Sequence, residues 1–302
     1  MNKRLLSIAV MSLSVSAVCG LVVVWASATA WVNGDNRSLL GTAGCATLPW
    51  MKSTGTGERR SVDLAWDGSD AVKVRIPARV QYQPGPKAQA SVSGDADLVS
   101  HVRLRDGTLE WDSAINCFPA GDLVVRLTGP AVTAWTLNGS GELQLADLTQ
   151  DQLRITMHGS GKVSASGEVR ELSIDATGSG RATFGKLITR ETTAQIRGSG
   201  DVVFADIRQD TMRIAMKGSG KVTATGEARE VSLDTSGSGH ADLGRLVTRQ
   251  ANARLRGSAD ADLAPRDDAD ISISGSGVVR LHGAVAQLHS HVSGSGEIKQ
   301  VQ

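Results

Sequence analysis

Aromatic residues are scarce in this chain of 302 residues, which has one tyrosine, three phenylalanines and six tryptophans. Aromatic side chains usually supply much of the buried area of a compact globular core. Their scarcity argues against one thick core and favours a thin core of aliphatic side chains. The chain is nevertheless long enough to bury a large total area.

An excess of charge of either sign is also lacking, with 32 Lys and Arg residues against 31 Asp and Glu residues. Removing residues 1–30, which contain Lys3 and Arg4 but no acid, leaves 30 against 31 and a net charge of −1. No basic block occurs elsewhere. The sequence therefore predicts neither nucleic-acid binding nor a polybasic membrane patch.

Residues 1–30 have the features of an export leader. An uncharged hydrophobic run of 21 residues extends from Leu5 to Trp25 behind two cations, which is long enough to span a bilayer. Ala26-Ser27-Ala28 and Ala28-Thr29-Ala30 both suit a signal peptidase. We therefore expect either a cleaved signal peptide or a retained anchor in the inner membrane. Either way, the body of the protein should be exported to the periplasm or cell surface.

Cysteine is rare, with three residues in total. Cys19 lies inside the hydrophobic run behind a poor lipobox, which argues against lipidation. Cys45 and Cys117 remain, and in an oxidising envelope compartment a pair of cysteines is more often bridged than free. We expect a disulfide between them, because no His-plus-acid pattern supports the alternative of a reactive thiol.

The body of the chain divides into three parts. Residues 31–60 are rich in Gly, Ser and Thr without periodicity, as is typical of a flexible spacer. Residues 61–128 alternate apolar and polar positions, for example from Val72 to Ile76, and Asp106-Gly107 is a strong hairpin turn signal. This segment predicts irregular β structure without a helical period.

Residues 129–302 contain a serial repeat. Gly-Ser-Gly begins at nine positions 18 to 20 residues apart, with one imperfect copy at Gly257-Ser258-Ala259; these positions are Gly139, Gly159, Gly178, Gly198, Gly218, Gly237, Gly257, Gly275 and Gly294. A fixed period of this length indicates coils that stack on one another. The predicted fold is an all-β solenoid, as a right-handed parallel β-helix.

Hydrophobic residues recur at fixed offsets from each tripeptide. In the coil that begins at Gly198 they occupy offsets 4, 6, 9, 14, 16 and 18, which are Val202, Phe204, Ile207, Met212, Ile214 and Met216. Alternation on both sides of a variable corner indicates strands whose apolar residues point inward. The same parity predicts that both glycines of each tripeptide point inward and that the serine points outward.

A longer repeat covers three coils. Residues 157–190 match residues 216–249 at 21 of 34 positions. Duplication of a block of 59 residues explains this match, and a modular stack tolerates such a duplication easily.

The chain resembles the GIN-domain family, whose name designates the head of an auto-transporter adhesin. The matching features are Gly94-Asp95-Ala96-Asp97-Leu98, Asp106-Gly107-Thr108-Leu109 and serial coils such as Gly198-Ser199-Gly200-Asp201-Val202. The resemblance spans about Ser61 to Gln302. It implies a β-solenoid and, by name only, adhesion; it brings no catalytic residues.

Several β-helices cleave polysaccharides, so acidic residues were the first candidates for a site. Asp201 and Asp260 follow the tripeptide at matched offsets, and four further aspartates lie near the second of them; these are Asp262, Asp267, Asp268 and Asp270. Equivalent offsets in other coils carry Glu, Lys, Arg or His, which indicates a tolerant outward position rather than a catalytic cluster. We interpret Asp267-Asp268 as a solvated loop rather than a calcium site.

His289 and His291 share one face of a predicted strand and offer two metal ligands. We interpret them as surface residues, since no third ligand is evident. Gly-x-Ser-x-Gly, a P-loop and a dinucleotide fingerprint are absent from the sequence. No catalytic residue, metal or cofactor is therefore expected.

The sequence thus favours a non-enzymatic envelope module that acts in adhesion or as a scaffold. The alternative is a carbohydrate-active or ligand-binding β-helix, which a groove with clustered acids or aromatics would favour. The expected partner is an envelope or surface protein or a glycan. A homo-oligomer through the edge of the C-terminal coil is a further expectation, and membrane contact is expected only through the N-terminal segment.

Overall fold

A computed structural model of the chain describes residues 58–112 and 122–301. The predicted leader, Cys45 and Cys117 lie outside the described residues, so the disulfide stays a prediction. Within the described ranges, no helix is long and apolar enough to cross a membrane.

The N-terminal part forms a mixed β structure with one short helix. Its elements are β1 (Arg59–Leu64), β2 (Ala71–Val74), β3 (Arg79–Pro84), β4 (Gln89–Asp95), α1 (Ala96–Val99), β5 (Val102–Arg105), β6 (Thr108–Trp111), β7 (Leu123–Gly129) and β8 (Ala134–Gly139). Three pairs are antiparallel, namely β1 with β4, β4 with β7, and β5 with β6. Asp106 and Gly107 both have positive φ, so the predicted hairpin turn between β5 and β6 is confirmed.

The short helix α1 was not predicted by the sequence pattern. Asp95 caps it by accepting a hydrogen bond from the backbone N–H of Asp97 at 3.0 Å, as N-terminal caps commonly do. Leu98 and Val99 are its buried residues. Four residues are too few to show a helical period, which explains why the pattern missed the helix.

The rest of the chain is a parallel β-solenoid of about eight turns. Its strands are β9 (Glu142–Gly159), β10 (Lys162–Gly178), β11 (Arg181–Gly198), β12 (Asp201–Gly218), β13 (Lys221–Gly237), β14 (His240–Gly257), β15 (Asp260–Gly275), β16 (Val278–His282), β17 (Gln287–Gly294) and β18 (Glu297–Val301). From β9 to β15 each strand pairs in parallel with the next. Nine tripeptide corners bound eight turns, and the predicted β-solenoid is confirmed.

Each coil has three faces joined at three corners. In the coil of β12 the inward alternation breaks after Phe204, after Gln209 and at the next Gly-Ser-Gly. We call 201–205 and its equivalents the first face, 207–209 the second face, and 211–217 the third face. Asp206 adopts a positive φ at the first corner.

The core is one continuous cluster of buried side chains that runs through the stack. All six predicted inward residues of this coil are buried, so the predicted offsets are confirmed. Phe184 stacks on Phe204 in the next coil with ring centroids 5.2 Å apart, and Tyr82 lies 5.2 Å from Trp135 near the N-terminal end. These four aromatic rings are buried in the core. They therefore do not form exposed platforms for sugars.

The tripeptide corners differ from the predicted parity in one respect. The serines are exposed and the second glycine is usually buried, as predicted, but the first glycine does not point inward. Gly198 has φ +115, and a Cβ there would lie 2.5 Å from the carbonyl oxygen of Gly178. The first glycine therefore faces the equivalent glycine of the preceding coil, and close stacking of two backbones is the reason that only glycine fits.

Candidate functional site

The two aspartates at matched offsets do not meet. Asp201 and Asp260 lie in one column of the first face, separated by Lys221 and His240. Three strand spacings of about 4.8 Å place them about 14 Å apart, beyond the separation of the carboxyl pair in a glycosidase. Asp201 instead bonds Arg181 at 2.9 Å, and Asp260 accepts a hydrogen bond from the backbone N–H of Val278 at 2.9 Å.

A denser cluster forms around Asp262, where the sequence analysis placed no contacts. One carboxylate oxygen lies 3.0 Å from Nε2 of His282, and the other lies 3.5 Å from Nε2 of His240 and 3.7 Å from the guanidinium of Arg280. The Asp262 side chain is only 15% exposed. Three groups from β14 and β16 thus hold one carboxylate on β15, which ties three coils together.

Replacing Asp262 by asparagine should therefore lower the free energy of unfolding by about 1–3 kcal/mol, because removing the carboxylate charge weakens the contacts with His282, His240 and Arg280. Asp242 is the matched control, since it occupies the same column one coil earlier and has no ion-pair partner among the described residues. Asp242→Asn should change stability by less than about 0.5 kcal/mol. Equal effects of the two substitutions in urea unfolding would contradict the assigned structural role of Asp262.

The remaining predicted candidates are dispersed. Asp267 and Asp268 lie within strand β15, so the predicted loop is wrong; Asp267 is exposed and Asp268 is half-buried. Asp270 accepts a long hydrogen bond of 3.4 Å from Asn252. His289 and His291 are exposed on β17, with outward parity as predicted. Within residues 58–112 and 122–301 no three His, Cys, Asp or Glu side chains are grouped to hold a metal ion.

Among the described residues, two groups have shifted pKa values, and both are structural. The pKa of Glu142 is lowered, first because the Gln144 amide donates to its carboxylate at 2.7 Å and second because Arg79 bonds it at 3.0 Å. Burial raises the pKa of Tyr82, whose hydroxyl donates to the carbonyl of Pro130 at 2.7 Å. Both shifts move the pKa further from pH 7, so neither group is prepared to act as a general acid or base at neutral pH.

An open groove of about 640 Å³ runs along the second face of four coils. We call it the corner groove. Its walls are two outward columns on either side of the inward column 150, 169, 189 and 209. One wall is Thr149, Glu168, Ile188 and Arg208, and the other is Asp151, Arg170, Arg190 and Asp210.

A buried polar network lies at the base of this groove. Oε1 of Gln209 accepts hydrogen bonds from the hydroxyls of Thr189 at 2.8 Å and Thr192 at 2.6 Å. Gln209 is 7% exposed. This inward column at offset 11 was not predicted from the sequence, because it contains polar residues in several coils. Its position two residues after the inward Ile207 is the signal that indicates it.

Sequence comparison agrees with this architecture. The family described as "Putative auto-transporter adhesin, head GIN domain" matches residues 69–205 and 183–285. Together these ranges cover well over half of the chain. The chain belongs to the GIN-domain family.

Several solved structures are similar to this GIN domain. A putative adhesin from Parabacteroides merdae has a TM-score of 0.63 and 19% identity. A putative adhesin from Parabacteroides distasonis has a TM-score of 0.59 and 19% identity. A putative lipid binding protein from Parabacteroides distasonis has a TM-score of 0.58 and 20% identity. Each similarity covers 82% of this chain and 98% of the other, and at such identities it shows the fold alone.

A search of curated proteins found no match. The comparisons thus establish an adhesin-like GIN-domain fold. The solved relatives are described as putative adhesins or as a putative lipid binding protein.

Proposed function

We propose that this protein is a non-enzymatic module of the cell envelope that binds a surface protein or a glycan through the outward side chains of its solenoid. It acts as an adhesin-like head or a scaffold. The observation that carries this proposal is the contrast between the two sides of the coils. Inward columns are mostly apolar, whereas outward columns change from acid to base between neighbouring coils.

The candidate acids support this proposal through their contacts. Asp201, Asp260 and Asp262 all hold neighbouring coils together, by ion pairs or by a backbone hydrogen bond. Contacts of this kind give each of these carboxylates a structural role between coils. Surface variation of charge, in contrast, changes partner choice without altering the core.

Export to the periplasm or cell surface is part of the proposal. The adhesin-like relatives support an exported or surface location. Residues 5–25 are proposed to direct export and, where retained, to hold the protein at the inner membrane. The membrane then contacts the chain only through that segment.

A second candidate function is a ligand-binding solenoid, and the corner groove is the observation that favours it. The groove is open and extends across four coils, so it suits a linear ligand lying along the stack. Its lining residues include three acids, three arginines and no aromatic residue. Polar contacts rather than sugar stacking would therefore bind such a ligand.

The edge of the last coil is a proposed site of self-association. Leu288 and Val292 on β17 and Val301 on β18 are exposed. Each of these two strands pairs with one earlier strand among the described residues. Edges of this kind can pair with another strand.

The test compares binding with turnover. The full chain, purified in a mild detergent, is assayed on envelope polysaccharides with and without calcium, and on arrays of glycans and envelope proteins. We expect saturable binding to one component without product release, and Asp201→Asn or Asp260→Asn should bind as the wild type does. Turnover that either substitution abolishes would establish an enzyme and refute the proposal.

A further inference from the structure

One large apolar side chain is exposed in the middle of the stack. Ile188 is 57% exposed, whereas the other exposed large hydrophobic residues of the described chain are Leu288, Val292 and Val301 in the last coils. It lies on the second face, in the wall of the corner groove. A single exposed apolar side chain is ordinary on a protein surface, so the charged residues beside Ile188 carry the argument.

The residues directly before and after Ile188 in its column carry opposite charges. Glu168 pairs with Ile188 in the strand register on one side, and Arg208 does so on the other. Both are exposed, and neither has an ion-pair partner among the described residues. The charges of the neighbouring column are paired within the chain. Arg170 bonds Asp151 at 3.0 Å, and Arg190 bonds Asp210 at 3.6 Å.

Within this column, an acidic residue lies on one side of Ile188 and a basic residue lies on the other. Glu168 and Arg208 are each one strand spacing away, about 4.8 Å, on opposite sides. A two-fold axis that lies in the contact plane beside Ile188, perpendicular to the stack, would exchange their positions. Two copies related by that axis would place Glu168 of each opposite Arg208 of the other, with the two Ile188 side chains in contact between them.

We propose that the second face around Ile188 is a docking surface for a second copy of this chain, arranged as an antiparallel two-fold dimer. The self-complementary charge pattern favours a second copy over an unrelated protein, since isologous contacts require self-complementary patches. This inference goes beyond the proposed function, because it assigns a second copy of this chain, rather than a surface protein or a glycan, to this face.

The border of this contact follows from the same axis. Arg170 of one copy lies opposite Asp210 of the other, which adds a favourable pair. Lys186 and Arg190 each lie opposite the same residue of the other copy, which brings like charges together, but Arg190 is already bonded to Asp210. The second face is only three residues wide, so Ile188 and its two charged neighbours form the centre of the interface.

The duplicated block contains a near copy of this surface, but its charge pattern is incomplete. Val247 and Glu227 correspond to Ile188 and Glu168. The following coil places Ala264 beside Val247 where Arg208 lies beside Ile188, and Val247 is half-buried. The complete acid–apolar–base column is therefore centred on Ile188.

The test is a charge swap in the full chain. Sedimentation equilibrium in a density-matched detergent should give twice the mass of the 31.5 kDa chain. Glu168→Arg and Arg208→Glu should each raise the dimer Kd by about tenfold or more, and the double variant should restore it, because opposite charges again face each other. A monomer at all concentrations, or single and double variants with equal Kd, would overturn the proposal.

Disulfide trapping provides a second readout. Ile188→Cys should form a covalent dimer on mild oxidation beyond the level of the wild type, whose own cysteines set the baseline. Ser199→Cys is the matched control, since it is exposed at the tripeptide corner and should not. Equal trapping of both variants, or a dimer that Val292→Lys on β17 abolishes and the charge swaps do not change, would assign the contact elsewhere and refute the proposal.

Discussion

Replacing Gly198 by alanine should destabilise the protein by about 3 kcal/mol or more, one of the largest effects of a single methyl group in this chain. Gly198 has φ +115, where residues with a Cβ are strained, and the added Cβ would lie 2.5 Å from the carbonyl oxygen of Gly178. The obstacle is backbone, so it cannot rotate away as a side chain would. The measurement is an equilibrium urea-unfolding curve monitored by circular dichroism.

Gly185 provides a matched control for the same substitution. It has no atom within 4 Å of an added Cβ, and its φ is not in the left-handed region. Gly185→Ala should leave the free energy of unfolding within about 1 kcal/mol of the wild type. Ser199→Ala, at an exposed position, should change it by less than about 0.5 kcal/mol. If Gly198→Ala is as mild as these two, the assigned backbone contact between coils is wrong.

Excision of residues 160–218 should leave a protein that still folds. This block of 59 residues is the repeat length of the duplication, and its removal stacks β13 on β9 in place of β10. Residues 216–249 then take the place of residues 157–190 in the stack. The two ranges match at 21 of 34 positions, so the inward columns remain aligned. Unfolding should stay cooperative, with a smaller dependence on urea because less surface is exposed on unfolding.

A shorter deletion should do more damage. Removing residues 160–208 deletes 49 residues, which is about two and a half coils, and joins a tripeptide corner directly to the end of a second face. Neighbouring coils then present different faces to each other, and the inward columns cannot align. We expect loss of the cooperative transition. If both deletions fold equally well, or both fail, the stack is not modular in the way the duplication indicates.

The sequence contained most of the information about the core but little about contacts between outward side chains. The inward offsets of Val202 and Ile214 follow from alternation alone, because the period of two is a property of every strand. The direction in which a Cβ at Gly198 would point could not be predicted from alternation, because the corner departs from strand geometry. Parity counting therefore fails at such a corner.

The Asp262 cluster shows why outward contacts were harder to predict. His282 and His240 are 20 and 22 residues from Asp262, so the contacts join different offsets in coils of unequal length. Counting offsets places Arg280 beside Asp262, which is a signal that the sequence analysis did not use. The diagonal contacts of the histidines depend on side-chain length and rotamer, which a repeat pattern does not determine.

The way in which coils are joined has a mechanical consequence. Backbone hydrogen bonds between coils, such as that from Ser199 to the carbonyl of Gly178 at 2.9 Å, point along the stack. Tension applied along the stack would load these bonds directly and peel the coils apart in sequence. Each coil of 18 to 20 residues would release about 65 Å of extended chain. Under load the solenoid would lengthen in steps, as an extensible tether between its two ends.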